Sequence, residues 1–165
     1  MKKSLLKYFL LVVLLAFEVG CRENSAYKGY SPTNTGLHYK IIALGDGQLK
    51  PVKGDYLQLA ITYKTLDDSV FLDTRSMNET GFVILPYDVS SFKGSFEEGV
   101  SKMNEGDVYS YIVSADSLFL KYFKTPLPNF LKKRDFVKMD VALHDILNKQ
   151  EYEEEIEKYK QLVER

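Results

Sequence analysis

A short helix between two runs of strand-forming residues constrains the fold of this chain more than any other feature. Ser95 and Glu98 have the spacing of a capping box, which marks the beginning of a helix. Phe96, Val100 and Met103 recur at helical spacing and give the helix one apolar face. The turn sequence NEGD then ends the helix, and the aromatic-rich run VYSYIV follows as a strand. The pattern predicts one short helix laid across a sheet, with Phe96 pointing into the space that the sheet encloses.

Alternation of apolar and polar residues predicts the rest of that sheet. In the run YLQLAITY every second residue is apolar, so this strand is half-buried and Tyr63 lies on its inner face. The run FVKMDVAL places Val137, Met139 and Val141 on one face in the same way. Shorter strands are predicted for HYKIIAL, VFL and FVIL. Many strands with one short helix predict an α+β fold, an antiparallel sheet wrapped around that helix, with a C-terminal helical extension.

Composition excludes several classes of function. The 165 residues have room for one domain, and a net charge of −1 indicates neither a nucleic-acid binder nor a polybasic membrane binder. One Cys and two His residues cannot build a zinc site, and one Cys allows no disulfide within the chain. The chain has no G-x-S-x-G elbow, no H-E-x-x-H motif and no phosphate-binding glycine loop.

The N-terminus has the pattern of an exported protein. Three lysines precede a short apolar run at residues 9–17, and Gly20 stands directly before Cys21. Residues 1–20 are therefore predicted to be a signal peptide. The position of the single Cys resembles the bacterial lipoprotein signal, in which that Cys is lipidated and becomes the mature N-terminus; Glu18 departs from this pattern, which has an aliphatic residue there. The alternative is an ordinary cleaved signal that leaves a free thiol.

The remaining chain divides into three predicted parts. Residues 21–36 are polar and form a flexible tether, residues 37–148 form the domain, and residues 149–165 form a charged helix. The apolar stripe of this helix either docks on its own domain or pairs with a second copy. Within the domain, residues 119–134 fit no period cleanly. They are predicted to be an amphipathic flap that covers a cleft, with a short helix beginning near Pro128.

Three segments in order resemble the FKBP-type peptidyl-prolyl cis–trans isomerases. They are ITYKTLDDSVFLDT, FEEGVSKMNEGD with VSADSLF after it, and FVKMDVALHDI. The resemblance covers residues 36–147. It implies isomerisation of X-Pro bonds, without metal or cofactor, in unfolded or partly folded proteins. With the predicted lipid anchor, those substrates would be proteins of the cell envelope.

The resemblance also implies a set of site residues. The catalytic positions are Tyr63, Asp73, Phe96 and Phe119. The substrate-binding positions are Leu72, Phe82, Phe92, Lys93 and Met139. The chain departs from the family at several of these: Phe119 stands where the family usually has a tyrosine, Leu72 where it more often has a phenylalanine, and Met139 where it has a phenylalanine.

Each of these assignments has a structural alternative. Phe82, Phe92 and Phe96 could be plain core residues, and Asp73 could be a turn residue that bonds its own backbone. Because the hydroxyl is lost at Phe119 and residues 119–134 replace the family's glycine- and proline-rich loop, a second function is also open. The fold could serve as a non-catalytic binding module or scaffold whose cleft is filled by its own flap.

The lipoprotein hypothesis predicts the behaviour of one variant. Cys21→Ser in the producing cell should release the protein from the membrane fraction, because the acylated thiol is its anchor. Cell fractionation and mass spectrometry of the mature chain measure this. If the variant stays with the membranes and its mass shows no lost acyl groups, the prediction is wrong.

Overall fold

A computed structural model describes residues 25–88 and 92–163, and the predicted signal peptide and Cys21 lie outside these ranges. The strands are β1 (Ser31–Pro32), β2 (His38–Ala43), β3 (Tyr56–Lys64), β4 (Val70–Asp73), β5 (Val83–Pro86), β6 (Val108–Ser114) and β7 (Phe136–Leu147). The α-helices are α1 (Phe96–Val100) and α2 (Lys149–Val163). A 3₁₀ turn covers Thr74–Ser76, and a π-helical turn covers Ser117–Phe123.

The described strands form one antiparallel sheet in the order β1-β2-β6-β7-β3-β4, with β5 also paired to β3. The central strands β3 and β7 pair along almost their full length, with Tyr63 opposite Met139 and Ile61 opposite Val141. Met139 also stands opposite Tyr111 of β6. The predicted α+β fold is therefore confirmed.

The apolar positions of the alternating strands form the core. On β3 the inward residues are at most 4% exposed, and on β7 the predicted face is at most 1% exposed. These two rows are Leu57, Leu59, Ile61 and Tyr63, and Val137, Met139, Val141 and Leu143. Burial of an apolar side chain of this size contributes about 1.5–3 kcal/mol, so the two rows are a large part of the domain's stability.

Helix α1 packs directly on this face of the sheet. Phe96, Val100 and Met103 are all at most 3% exposed, as the helical spacing predicted. Gly99 makes the close approach possible, because a Cβ atom at this position would lie 2.2 Å from Cε1 of Tyr111. The ring of Tyr111 is itself fully buried. Only a glycine at this position lets α1 approach the Tyr111 ring this closely.

The predicted helix start is correct, but the capping box is not formed. Ser95 is the N-cap residue, and its side chain makes no capping hydrogen bond with the described residues. Glu98 instead accepts hydrogen bonds from the Gly94 N–H at 3.2 Å and from Thr35 Oγ1 at 2.6 Å. The glutamate thus ties α1 to the segment that leads into β2, which a local sequence motif does not reveal.

Both ends of the described chain lie against the domain. Within the predicted tether, β1 pairs with β2, and the hydroxyl groups of Tyr30 and Ser110 form a hydrogen bond of 2.7 Å. At the other end, Tyr152 of α2 stacks on Tyr56 of β3 with ring centroids 3.9 Å apart. Docking is thus the observed arrangement of the C-terminal helix. No helix within residues 25–88 and 92–163 has both the length and the apolar character needed to cross a membrane.

We expect Gly99→Ala to lower the free energy of unfolding by about 1–3 kcal/mol, because the added methyl group overpacks the contact with Tyr111. In an exposed helix, alanine in place of glycine stabilises by about 1 kcal/mol. A decrease in the free energy of unfolding would therefore indicate overpacking. Urea denaturation measures the change. Gly99→Ala introduced into a Tyr111→Leu background is the control, and its cost should be near zero. Equal costs in both backgrounds would show that the contact with Tyr111 is not the cause.

Candidate functional site

A groove lined by aromatic and aliphatic side chains lies between α1, β3, β5 and the Ser117–Phe123 turn. Tyr122 divides it into two clefts that share Leu85 as a common wall. The cleft beside Phe96, here called the Phe96 cleft, has a volume of about 200 Å³. The cleft beside Tyr63, here called the Tyr63 cleft, has a volume of about 160 Å³. Together the two clefts form the candidate site.

A continuous chain of aromatic contacts forms the groove wall. The ring of Tyr122 meets Phe96 edge-on, with centroids 5.1 Å apart and an interplanar angle of 84°. The ring centroid of Phe123 lies 5.4 Å from that of Tyr122 and 5.7 Å from that of Tyr63. Edge-on and tilted pairs at these separations are favourable for aromatic rings. The contacts hold the Ser117–Phe123 turn against the inner face of the sheet.

The wide turn itself decides which residues of this segment enter the groove. It begins three residues after β6 and ends at Lys124, which has a left-handed backbone with φ of 55°. The Phe119 carbonyl accepts hydrogen bonds from the N–H groups of Lys124 and Thr125 and thereby closes the turn. The predicted helix near Pro128 is wrong: there the chain makes a single turn, with the Leu131 N–H bonded to the Pro128 carbonyl at 3.0 Å.

The groove holds its tyrosines in the neutral form. Burial, together with the negative charge of Glu97, raises the pKa of Tyr122 to about 12. Burial also raises the pKa of Tyr63 well above its usual range. At neutral pH both phenols therefore keep their protons. Tyr122 lines both clefts, so a neutral phenol, which can donate a hydrogen bond, lies between them.

Three of the residues chosen from the sequence meet in this groove. Phe96 lines one cleft, and Tyr63 and Leu72 line the other. Phe119 and Met139 are buried at 8% and 0% exposure and do not line either cleft. The ring of Phe119 lies behind the groove wall. Its centroid is 5.5 Å from that of Phe123 and 6.4 Å from that of Phe71.

The structure places Asp73 away from the groove, because neighbouring residues of a strand point to opposite faces. Asp73 pairs with Thr62, whereas the next pair is Leu72 with Tyr63, so the two pairs face opposite sides. The Asp73 carboxylate caps the 3₁₀ turn and accepts hydrogen bonds from the Arg75 guanidinium at 2.8 and 3.0 Å. Asp73 therefore acts as a turn residue, which was the structural alternative to a role in the site.

The ring of Phe82 stacks on His144, with centroids 4.4 Å apart, and its neighbour Val83 lines the Tyr63 cleft. Phe92 is half-buried and carries the Lys121 ammonium 5.3 Å from its ring centroid. Lys93 is exposed and lines neither cleft. The residues just before α1 therefore flank the groove through Phe92, and the Lys93 side chain faces solvent.

Sequence reasoning missed the residue that divides the groove. Tyr122 lies three residues after Phe119, in a segment whose period was ambiguous. Its signal was the presence of a phenol one helical turn beyond the position where the family has one. Glu97 and Asp88, which line the Phe96 cleft, were also missed. Among residues 25–88 and 92–163, no group of three or more His, Cys, Asp or Glu side chains could hold a metal ion.

Comparison with known proteins relates the fold to solved structures. FkpA from Escherichia coli superposes with a TM-score of 0.57 at 18% identity, over 74% of this chain and 54% of FkpA. A peptidyl-prolyl cis-trans isomerase from Pseudomonas syringae pv. tomato superposes with a TM-score of 0.56 at 13% identity, over 74% of this chain and 84% of that protein. No protein-family model and no curated protein matches the sequence. The fold is thus FKBP-like, and this chain spans about half the length of FkpA.

The raised tyrosine pKa values predict how stability changes in alkali. The folded state keeps phenol protons that the unfolded state loses above about pH 10, so the free energy of unfolding should fall as pH rises from that point. Tyr122→Phe removes one such proton. Between about pH 10 and 12, the free energy of unfolding of this variant should therefore fall less steeply than that of the wild type, by up to about 1.4 kcal/mol per pH unit. Denaturation of both proteins across this range measures the difference. Parallel pH profiles would contradict the assignment of a raised pKa to Tyr122.

Proposed function

We propose that this chain is a peptidyl-prolyl cis–trans isomerase that binds an apolar residue followed by proline in the groove. The observation that carries the proposal is an aromatic groove in an FKBP-like fold with a neutral phenol, that of Tyr122, between its two clefts. This chemistry requires no nucleophile and no metal. It requires an environment that stabilises the twisted amide more than the planar one.

The physical argument rests on the loss of amide resonance. Rotation about a peptide bond has a barrier of about 18–20 kcal/mol, because the planar amide is stabilised by resonance that separates charge. A twisted amide has less charge separation and is less costly to remove from water. An apolar, water-poor groove therefore lowers the energy of the twisted state relative to the planar one. The rings of Phe96 and Tyr63 supply such surroundings.

The Tyr122 hydroxyl can fix the pose of the bound segment. A donor hydrogen bond to the carbonyl that precedes proline would hold one side of the amide while the other side rotates. In the family this hydroxyl belongs to the position that Phe119 occupies. In this chain Phe119 lies behind the wall, and Tyr122, one helical turn later, carries the phenol that lines the groove. We propose that Tyr122 takes over this role.

The cellular setting is part of the proposal. The predicted signal at residues 1–20 and the predicted lipid anchor at Cys21 would place the domain at the cell envelope. Its substrates there would be unfolded or partly folded proteins in which X-Pro bonds have not yet reached their native isomer. Uncatalysed isomerisation takes tens to hundreds of seconds, which is slow enough to limit folding.

A second candidate function is a non-catalytic binding module, and one observation favours it. Tyr122 and Phe123 occupy the groove between the two residues that would form its floor, and Phe96 and Tyr63 are only 3% and 4% exposed. A proline ring can reach those two floor residues only if the Ser117–Phe123 turn moves, or if the proline binds in one of the two clefts beside that turn. A groove that stays filled would leave the domain as a scaffold.

An isomerisation assay without a coupling protease tests the proposed activity on an X-Pro peptide. We expect the wild type to accelerate isomerisation, and Tyr122→Phe to lower kcat/KM by about twofold to tenfold, the effect of one lost hydrogen bond of about 0.5–1.5 kcal/mol. Tyr152→Phe, which removes a phenol from the stacked pair outside the groove, is the matched control and should leave kcat/KM unchanged. A wild-type rate equal to that of buffer, at protein concentrations well above trace, would exclude the enzyme.

Phe123→Leu distinguishes an open groove from a filled one. The smaller side chain loosens the contact with Tyr63 and keeps the position apolar. If the groove is self-filled, this variant should bind an X-Pro peptide more tightly than the wild type does, by calorimetry. If the groove is already accessible, the variant should lose affinity together with aromatic contact area. Urea denaturation confirms beforehand that the variant is folded.

A further inference from the structure

The loops at one end of the sheet form a region that the proposed mechanism uses only in part. Strand β3 ends beside the beginnings of β4 and β7, where Lys64 pairs with Val70 and Lys138. Strand β6 ends beside the beginning of β7 in the same way. The connecting loops, residues 65–69 and 115–135, therefore lie together at one end of the sheet, here called the tip. The groove takes only the π-helical turn from the longer loop.

The tip exposes large apolar side chains as a group. Leu66, Val70 and Phe130 are 43%, 56% and 56% exposed. Leu66 and Phe130 line the same surface pocket, and the ring centroid of Phe130 lies 5.2 Å from that of Phe71, the chain neighbour of Val70. These three residues are here called the tip surface. Large apolar residues that are exposed together, unlike those exposed singly, mark an interaction site.

The longer tip loop is basic, although the net charge of the whole chain is −1. Between Phe119 and Phe136 the sequence has five basic residues and one acidic residue. One of the basic residues, Lys121, lies over the ring of Phe92. The other four are exposed and form no ion pair with a described residue: Lys124, Lys132, Lys133 and Arg134.

The carboxylates of the tip have partners within the tip. Asp68 forms an ion pair of 2.5 Å with Lys138. The carboxylates of Asp67, Asp116 and Asp135 accept hydrogen bonds from hydroxyl or backbone N–H groups of the two loops. The four exposed basic side chains are thus the groups of the tip that remain available to an external anion.

The chain enters the domain beside the tip surface. The ring of Tyr27 lies with its centroid 5.9 Å from that of Phe136, and Phe136 lines the same pocket as Phe130. The predicted lipid anchor, Cys21, stands four residues before Ser25. Four residues span at most about 14 Å when fully extended. A lipid on Cys21 would therefore keep this end of the domain close to the bilayer.

We propose that the tip surface docks on the lipid bilayer that holds the anchor. Its three apolar side chains enter the boundary between headgroups and acyl chains, and the surrounding basic residues contact anionic headgroups. Leucine and phenylalanine combined with lysine and arginine are typical of interfacial membrane binders, and the negative charge of a leaflet attracts basic residues. Helix α2, which begins at the opposite end of β7, carries five glutamates and three lysines, so an anionic bilayer repels it. The proposal concerns the orientation of the domain and does not depend on the isomerase activity.

A single tryptophan tests which face meets the bilayer. The chain has no tryptophan, so Phe130→Trp adds one fluorescent probe to the tip surface. The mature lipidated protein is purified from the producing cell and reconstituted in vesicles of phosphatidylethanolamine and phosphatidylglycerol, with or without brominated acyl chains that quench indole fluorescence. We expect brominated lipid to lower the emission of Phe130→Trp by about twofold or more, because the side chain lies at the boundary with the acyl chains.

Leu49→Trp is the matched control. Leu49 is also exposed, at 60%, but it lies in the loop after β2, where its carbonyl accepts a hydrogen bond from the Glu105 N–H at the opposite end of the sheet. Its emission should change little with brominated lipid. Urea denaturation confirms beforehand that both tryptophan variants are folded.

A change of charge tests the basic residues. Lys132→Gln combined with Lys133→Gln should weaken the quenching of Phe130→Trp, and added salt should do the same, because both reduce the attraction to phosphatidylglycerol. Lys50→Gln combined with Lys102→Gln removes the same charge from exposed positions at the opposite end and should leave the quenching unchanged. Quenching that survives the loss of Lys132 and Lys133 overturns the role of these two lysines.

The remaining outcomes decide the docking surface itself. Equal quenching of Phe130→Trp and Leu49→Trp shows that the domain turns no fixed face to the bilayer, and no quenching of either shows that the tip surface meets something other than lipid; each overturns the proposal. If the mature chain carries no acyl group, the same variants are mixed with the vesicles as soluble chains. Stronger quenching of Phe130→Trp than of Leu49→Trp then supports the docking surface, and its absence overturns it.

Discussion

The contact between Gly99 and the ring of Tyr111 is the constraint on which the groove depends. It sets the distance between α1 and the sheet, because any side chain at position 99 would meet a fully buried ring. That distance in turn determines where Phe96 lies relative to the inner face of β3. If α1 lay farther from the sheet, the groove would be wider and would admit water. Water would weaken the apolar contacts and the hydrogen bond on which the proposed function relies.

The Ser117–Phe123 turn gives the groove a character of its own. In a fold similar to that of a solved peptidyl-prolyl isomerase, this turn presents Tyr122 to the groove and keeps Phe119 behind the wall. The same phenol could orient a substrate carbonyl or obstruct its entry. Which of these dominates depends on the energy needed to move Tyr122 and Phe123 from contacts worth about 0.5–1.5 kcal/mol for each aromatic pair.

Much of the fold could be predicted because its signals are local and periodic. Alternation in β3 and β7 identified their buried faces, and the spacing of Phe96, Val100 and Met103 identified the buried face of α1. Part of the site followed from the same patterns, since Tyr63 and Phe96 line the groove. The position of Asp73 did not follow. The resemblance to the isomerase family implied that Asp73 is a site residue, yet a shift of one residue along a strand reverses the face to which a side chain points.

By itself, the sequence determined the α+β class, the strand faces and the short helix with its apolar face, because each depends on residues within one or two turns or strands. Only the tertiary structure decided which phenol reaches the groove, where Glu98 finds its partners, and that α2 docks through Tyr152 on Tyr56. These outcomes depend on contacts between segments far apart in the chain. A wide turn after β6 also advances its side chains by an angle that no regular period predicts, and this places Tyr122 between the two clefts.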